Sequence, residues 1–118
     1  MKKLLALSIC LVFAILTRAQ EEKKSIHIPD PTQKTEVVKA ACGQCVFGMS
    51  GNDCTLAVKI KNKTYFVVGT GVDDHGDAHA KDGFCNKVRK AEIQGALIEN
   101  KYHVTYFKLI DQPKENSH

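Results

Sequence analysis

Four cysteines lie in the part of the chain that we expect to fold, and their spacing suits chemistry at sulfur. The stretch ACGQCVFGMSGNDC, residues 41–54, contains Cys42, Cys45 and Cys54, and Cys85 follows much later. A CxxC pair brings two sulfur atoms to one point, as a tetrahedral zinc or copper site or a reactive dithiol requires. The glycines between the cysteines allow the chain to turn back, so we expect all four sulfurs to approach one another.

Disulfide bonds are the alternative use of these cysteines. An even number of cysteines in a small exported domain normally forms disulfides, and spacing alone does not choose among the three possible pairings. A thioredoxin-like dithiol is disfavoured, because that chemistry places CxxC at the start of a helix. Here CxxC precedes VFGMSGND, which has two glycines and no helical period.

A second group of chemically active side chains lies in VDDHGDAHAKDGFC, residues 72–85. Two histidines four residues apart, with neighbouring aspartates, offer ligands to a divalent metal. Glycines and turn-forming aspartates favour a loop over a helix, so the ligands converge only if the loop folds suitably. A solvated turn with capping aspartates and a His/Asp acid–base pair are the other interpretations. The predicted metal ligands are Cys42, Cys45, Cys54, Cys85, His75, His79, Asp74 and Asp77.

The amino-terminal segment predicts export. A short basic start is followed by an apolar run, residues 4–16, and by small residues that end at Ala19. This is the pattern of a secretory signal peptide, residues 1–19, and the apolar run is too short to span a bilayer well. We therefore expect a periplasmic or secreted protein without stable membrane insertion after cleavage.

The remaining chain has an almost balanced charge. Without Lys2, Lys3 and Arg18, the 17 basic residues fall to 14, against 13 acidic residues. Nucleic-acid binding and membrane-surface binding need a clustered excess of Lys and Arg, so the totals argue against both.

Short strands dominate the predicted domain, residues 35–110. CTLAVKIK alternates apolar and polar residues, a turn at Asn62-Lys63 follows, and TYFVVGT completes a hairpin. VRKAEIQGALI and YHVTYFKLI predict a second hairpin, in which Gly95 indicates a bulge, a tight barrel bend or a weak point of the strand. AKDGFCNKVRKA is the one plausible helical turn. This order predicts an all-β, five-stranded OB-like barrel with a short helical turn between strands three and four; a sandwich or another small barrel is the alternative.

The flanks of this domain are polar. Residues 20–34, QEEKKSIHIPDPTQK, predict a flexible linker, and residues 111–118 predict a polar tail.

The strings CGQCVFGMSGNDCTLAV and YFVVGTGVDDHGDAHAKDGFCNKVRKAEIQG, with VTYFKLI, resemble an uncharacterised family of small exported bacterial proteins. More loosely, the cysteine and hairpin pattern is similar to periplasmic proteins with OB-like barrels, which concerns the fold alone. Neither resemblance implies an activity. We expect a binding module for zinc, copper or another divalent metal, with an unknown small ligand as a further possibility. The alternatives are a small envelope enzyme using a His/Asp or CxxC site and a disulfide-stapled structural or interaction protein.

Overall fold

The computed structural model describes residues 25–111 and contains five strands. The predicted signal peptide, residues 20–24 of the predicted linker and residues 112–118 of the predicted tail lie outside the described residues. In chain order the strands are β1 (Glu36–Cys42), β2 (Leu56–Ile60), β3 (Lys63–Val68), β4 (Arg89–Ile98) and β5 (Lys101–Leu109).

The strands close into a barrel in the order β1-β2-β3-β5-β4. All neighbouring strands are antiparallel except β3 and β5, which are parallel, with Val67 opposite Tyr102. The predicted all-β, five-stranded barrel is confirmed. Between β3 and β4, at the predicted place of the helical turn, Lys87 N donates to Gly83 O over 3.0 Å in a single turn. The described residues include no helix of a length and apolarity that would cross a membrane.

Alternation along the strands builds the core. On β2, Leu56 and Val58 are buried while Lys59 is exposed, as the period of two predicts, and the small Ala57 between them is buried as well. Burying each large apolar side chain stabilises the fold by about 1.5–3 kcal/mol. The barrel interior is filled by buried residues from all five strands, including Val38, Ala40, Leu56, Val58, Val67, Ala91, Ile93, Val104 and Phe107.

Two tight turns and one bulge set the register. Lys61 and Asn62 have φ values of 49° and 67°, which are typical of a two-residue hairpin turn, so this turn lies one position before the predicted one. Glu99 and Asn100 repeat the same conformation between β4 and β5. The register of β4 shifts between Gln94 and Gly95, which confirms the bulge predicted from the glycine.

Residues 25–34, from the predicted linker, contact the barrel. Gln94 is 2% exposed, and its Oε1 accepts from Asp30 N over 2.7 Å. Its Nε2 donates to Asp30 O and Thr35 Oγ1, each over 2.9 Å. Ile26 packs against the core, and its carbonyl accepts from Phe107 N over 3.0 Å. These bonds satisfy a buried amide that the barrel alone would leave unpaired.

Candidate metal centre

The four cysteines of the described chain meet at one end of the barrel. Cys42 ends β1, and Cys54 lies just before β2. Cys45 follows Cys42 in the connection between these strands, and Cys85 comes from the long loop before β4. Their sulfur atoms all lie within 4.8 Å of one another. We call these four residues the cysteine cluster.

Backbone hydrogen bonds hold the CxxC segment in a compact turn. Val46 N donates to Cys42 O over 3.0 Å, and Cys45 N points at Cys42 Sγ over 3.4 Å. Gly43 N donates to Thr55 O over 2.8 Å, which ties the turn to the start of β2. An N–H directed at sulfur favours the thiolate over the thiol, and the thiolate is the form that binds metal.

Gln44, between the first two cysteines, links them to the third. Its Oε1 accepts from Thr55 N over 2.8 Å, and its Nε2 donates to Thr55 Oγ1 over 3.3 Å. Thr55 directly follows Cys54, so the amide fixes the distance between the CxxC turn and Cys54. The sequence prediction did not include Gln44; its position inside CxxC was the available signal.

Cys85 reaches the cluster because its loop is bonded to β1. Cys42 N donates to Phe84 O over 2.8 Å, and Cys85 N donates to Ala78 O over 3.0 Å. Gly83 allows this path, since a Cβ there would overlap the carbonyl oxygens of Asp77 and Ala78. The loop backbone thus places the fourth sulfur beside Cys54, at 3.2 Å.

The cluster geometry admits two kinds of bonding. Four sulfurs that are each 2.3 Å from a central zinc lie about 3.8 Å from one another. Cys42 and Cys54 also lie at disulfide distance, with their Cα atoms 5.5 Å apart. Burial raises the pKa of the Cys85 thiol, and the neighbouring Cys45, Asp73 and Asp77 raise it further.

His75, a predicted ligand, occupies a packed position outside the cysteine cluster. Its Nε2 lies 2.8 Å from Thr70 Oγ1, and its ring centroid lies 4.5 Å from that of Phe107 and 5.9 Å from that of Phe84. Desolvation by this packing lowers the pKa of His75, with Asp74 acting in the opposite direction.

The other predicted ligands of the loop form turns. Asp74 Oδ2 accepts from Gly71 N over 2.8 Å, and Asp77 Oδ1 accepts from His79 N over 2.9 Å. The His79 side chain is exposed. Among residues 25–111, the donor atoms that converge in a group of three or more are the four sulfurs, and these histidines and aspartates are not part of that group.

Asn86 is a further positioning residue that sequence reasoning missed. Its Nδ2 donates to His79 O over 2.9 Å and to Ala80 O over 2.8 Å. These bonds close the loop just after Cys85. An asparagine next to a predicted ligand was the available signal, because its amide can bond nearby carbonyls.

Comparison with known proteins gives one match. The family model described as "Family of unknown function (DUF6370)" covers residues 36–110, from the start of β1 to just past the end of β5. No curated protein and no solved structure gives a significant match to the chain.

Proposed function

The chain belongs to this family of unknown function, and from its cysteine cluster we propose that it is a metal-binding module of the four-thiolate type. The observation that carries the proposal is the convergence of all four sulfurs within 4.8 Å. Cys54 is close to both Cys42 and Cys85, so the sulfurs form a single group rather than two separate pairs. One tetrahedral ion needs such a group.

The proposed metal follows from the ligands. Four thiolates in a tetrahedral arrangement favour zinc, and thiolates also bind copper in its reduced form. We propose zinc as the bound ion. We also propose that the signal-like leader directs export of the protein to an oxidising compartment. Cys45 is exposed, so the bound ion would be reachable by competing ligands in solution. An accessible site of this kind suits metal exchange, whereas a closed site suits a structural role.

A disulfide-stapled domain is the competing proposal. It is favoured by the 5.5 Å between the Cα atoms of Cys42 and Cys54, and it leaves Cys45 and Cys85 as a second pair. In that case the barrel end would be rigid without metal, and the role of the protein would be sought elsewhere on its surface.

The test is metal binding by the full chain, reduced and handled without oxygen. We expect one Zn²⁺ per chain, and Co²⁺ in its place should give the absorption of tetrahedral thiolate coordination. Each of the variants C42S, C45S, C54S and C85S should lower zinc affinity by at least about tenfold, since each removes one ligand. His79→Ala, which changes an exposed side chain outside the cluster, should retain the parent affinity.

Two results would contradict the proposal. The first is reduced protein that takes up no metal while its barrel remains folded. The second is protein isolated from the exported fraction with no free thiol and no bound metal, which would establish the stapled domain instead.

A further inference from the structure

A cavity of about 630 Å³ opens at the barrel end opposite to the cysteine cluster. The cluster lies where β1 finishes and β2 begins, whereas the cavity lies where β1 begins and β2 finishes. We call it the distal mouth, defined by Lys34, Lys61, Lys63, Tyr65, Leu97 and Tyr102. Its volume is within the range of about 300–1,000 Å³ that is typical of small-molecule sites.

Positive charge dominates the distal mouth. Lys34, Lys61 and Lys63 line it, with Glu36 as the opposing carboxylate. Within residues 25–111, the salt bridge is the one between Arg89 and Asp111, so these three lysines have no carboxylate partner at salt-bridge distance. Three ammonium groups around one cavity raise the local concentration of anions.

Aromatic and apolar surface lies beside these charges. Leu97 is 49% exposed, and Tyr65 is partly buried. Burial, with a smaller contribution from Glu36, raises the pKa of Tyr102 to about 12. Its hydroxyl therefore stays protonated near neutral pH. A neutral hydroxyl of this kind can donate to an anion.

The position of Lys61 has a conformational cost. Its φ of 49° is in the left-handed region, which is unfavourable for a residue with a side chain. Asparagine or glycine would fit this turn better. The short turn instead holds a cationic side chain at the rim of the cavity.

We propose that the distal mouth binds a small amphiphilic organic anion, with its carboxylate, sulfonate or phosphate group among the three lysines and its apolar body against Tyr65 and Leu97. A purely polar anion would leave the apolar wall in water, and a neutral apolar molecule would leave the lysines without a counter-charge. This site is separate from the cysteine cluster, so it does not depend on the metal proposal.

Two fluorescent probes that share one apolar body test the proposal on the full chain. One is 8-anilinonaphthalene-1-sulfonate, and the other is N-phenyl-1-naphthylamine, which lacks the sulfonate. We expect the sulfonate to bind at least about tenfold more tightly than the neutral probe, and its binding to weaken as salt is added.

Matched lysine variants locate the probe. Lys61→Asn removes the charge while suiting the turn, so it should keep or raise stability and weaken sulfonate binding about three- to fivefold. Lys63→Gln should act similarly. Lys39→Gln is the control: Lys39 is exposed opposite Lys59 and Lys90 and lines a neighbouring cavity that Lys61 also borders. It does not line the distal mouth, so its loss should leave binding unchanged. Leu97→Ser should weaken both probes.

Three outcomes would overturn the proposal. Equal affinity for the charged and neutral probes would remove the role of the lysines. Weakening by Lys39→Gln as large as that by Lys61→Asn would show non-specific attraction to positive charge. A dimer in sedimentation that Leu97→Ser dissociates would show that a second copy of the chain covers the mouth instead.

Discussion

Replacing Gln44 by alanine should weaken metal binding although all four sulfurs remain. The side chain of Gln44 makes two hydrogen bonds to Thr55, at 2.8 and 3.3 Å, and these hold the CxxC turn against the residue that follows Cys54. Each bond in a partly exposed site contributes about 0.5–1.5 kcal/mol. Their loss also leaves Thr55 N–H without its side-chain acceptor.

The expected size of this effect is about tenfold in zinc affinity. In the variant, metal binding must itself order the turn. If this ordering costs about 1.4 kcal/mol, the dissociation constant for zinc rises about tenfold. Residues that orient metal ligands through hydrogen bonds typically change affinity by about 10- to 100-fold when they are mutated. Competition with a chromophoric chelator, in reduced protein without oxygen, measures the change directly.

Two milder variants separate the bonds. Thr55→Val removes Oγ1 and therefore only the 3.3 Å bond, so it should weaken binding less than Gln44→Ala does. Gln44→Glu keeps an acceptor for Thr55 N and offers its second carboxylate oxygen to the Thr55 hydroxyl, so it should retain more zinc affinity than Gln44→Ala. The reasoning is refuted if Gln44→Ala binds zinc as tightly as the parent, or if Thr55→Val is the more damaging change.

Two further predictions concern stability. Burial lowers the pKa of His75 from its ordinary value of 6.5; Asp74 acts in the opposite direction, and His27 lowers the pKa further. In chelator-treated protein, the contribution of His75 to the free energy of unfolding should be complete above about pH 6.5, decline as the pH falls below that value and level off below the folded-state pKa. Urea titrations of His75→Gln should lack this component. Gln94→Leu removes the bonds to Asp30 and Thr35 and takes away the side-chain acceptor of Asp30 N, so it should lower the free energy of unfolding by about 2–4 kcal/mol and speed exchange of the Asp30 amide. Gln33→Ala, at an exposed side chain, should change stability by less than about 0.5 kcal/mol, and equal effects of the two variants would contradict the assigned role of Gln94.

Local pattern was enough to predict the strands. The alternation in β2 and the β-forming residues of β3 depend on neighbours within a few positions, and so does the bulge at Gly95. The two-residue hairpin turn was predicted one position too late. Lysine and asparagine hold the left-handed positions there, and their side chains mark such a turn less clearly than glycine does.

The total counts of acidic and basic residues did not predict how charge is distributed over the surface. A nearly balanced count of acids and bases argued against nucleic-acid and membrane-surface binding, and it does not locate individual groups of charges. Yet Lys34, Lys61 and Lys63 come together only because β1 and the β2–β3 turn meet at one end of the barrel. Similarly, the polarity of residues 25–34 predicted a linker, but it gave no sign that the buried Gln94 would bind their backbone.

The sequence by itself determined the five strands, the four candidate sulfur ligands and the membership of the chain in its family, because these depend on residue types and short spacings. Barrel closure decided which of the predicted ligands meet. It brings Cys85 to Cys54 across 31 positions of sequence, while the hydrogen bonds of the loop direct Asp74 and Asp77 to backbone amides. Such distances follow from strand register and loop packing, which sum many weak contacts that no short stretch of sequence contains.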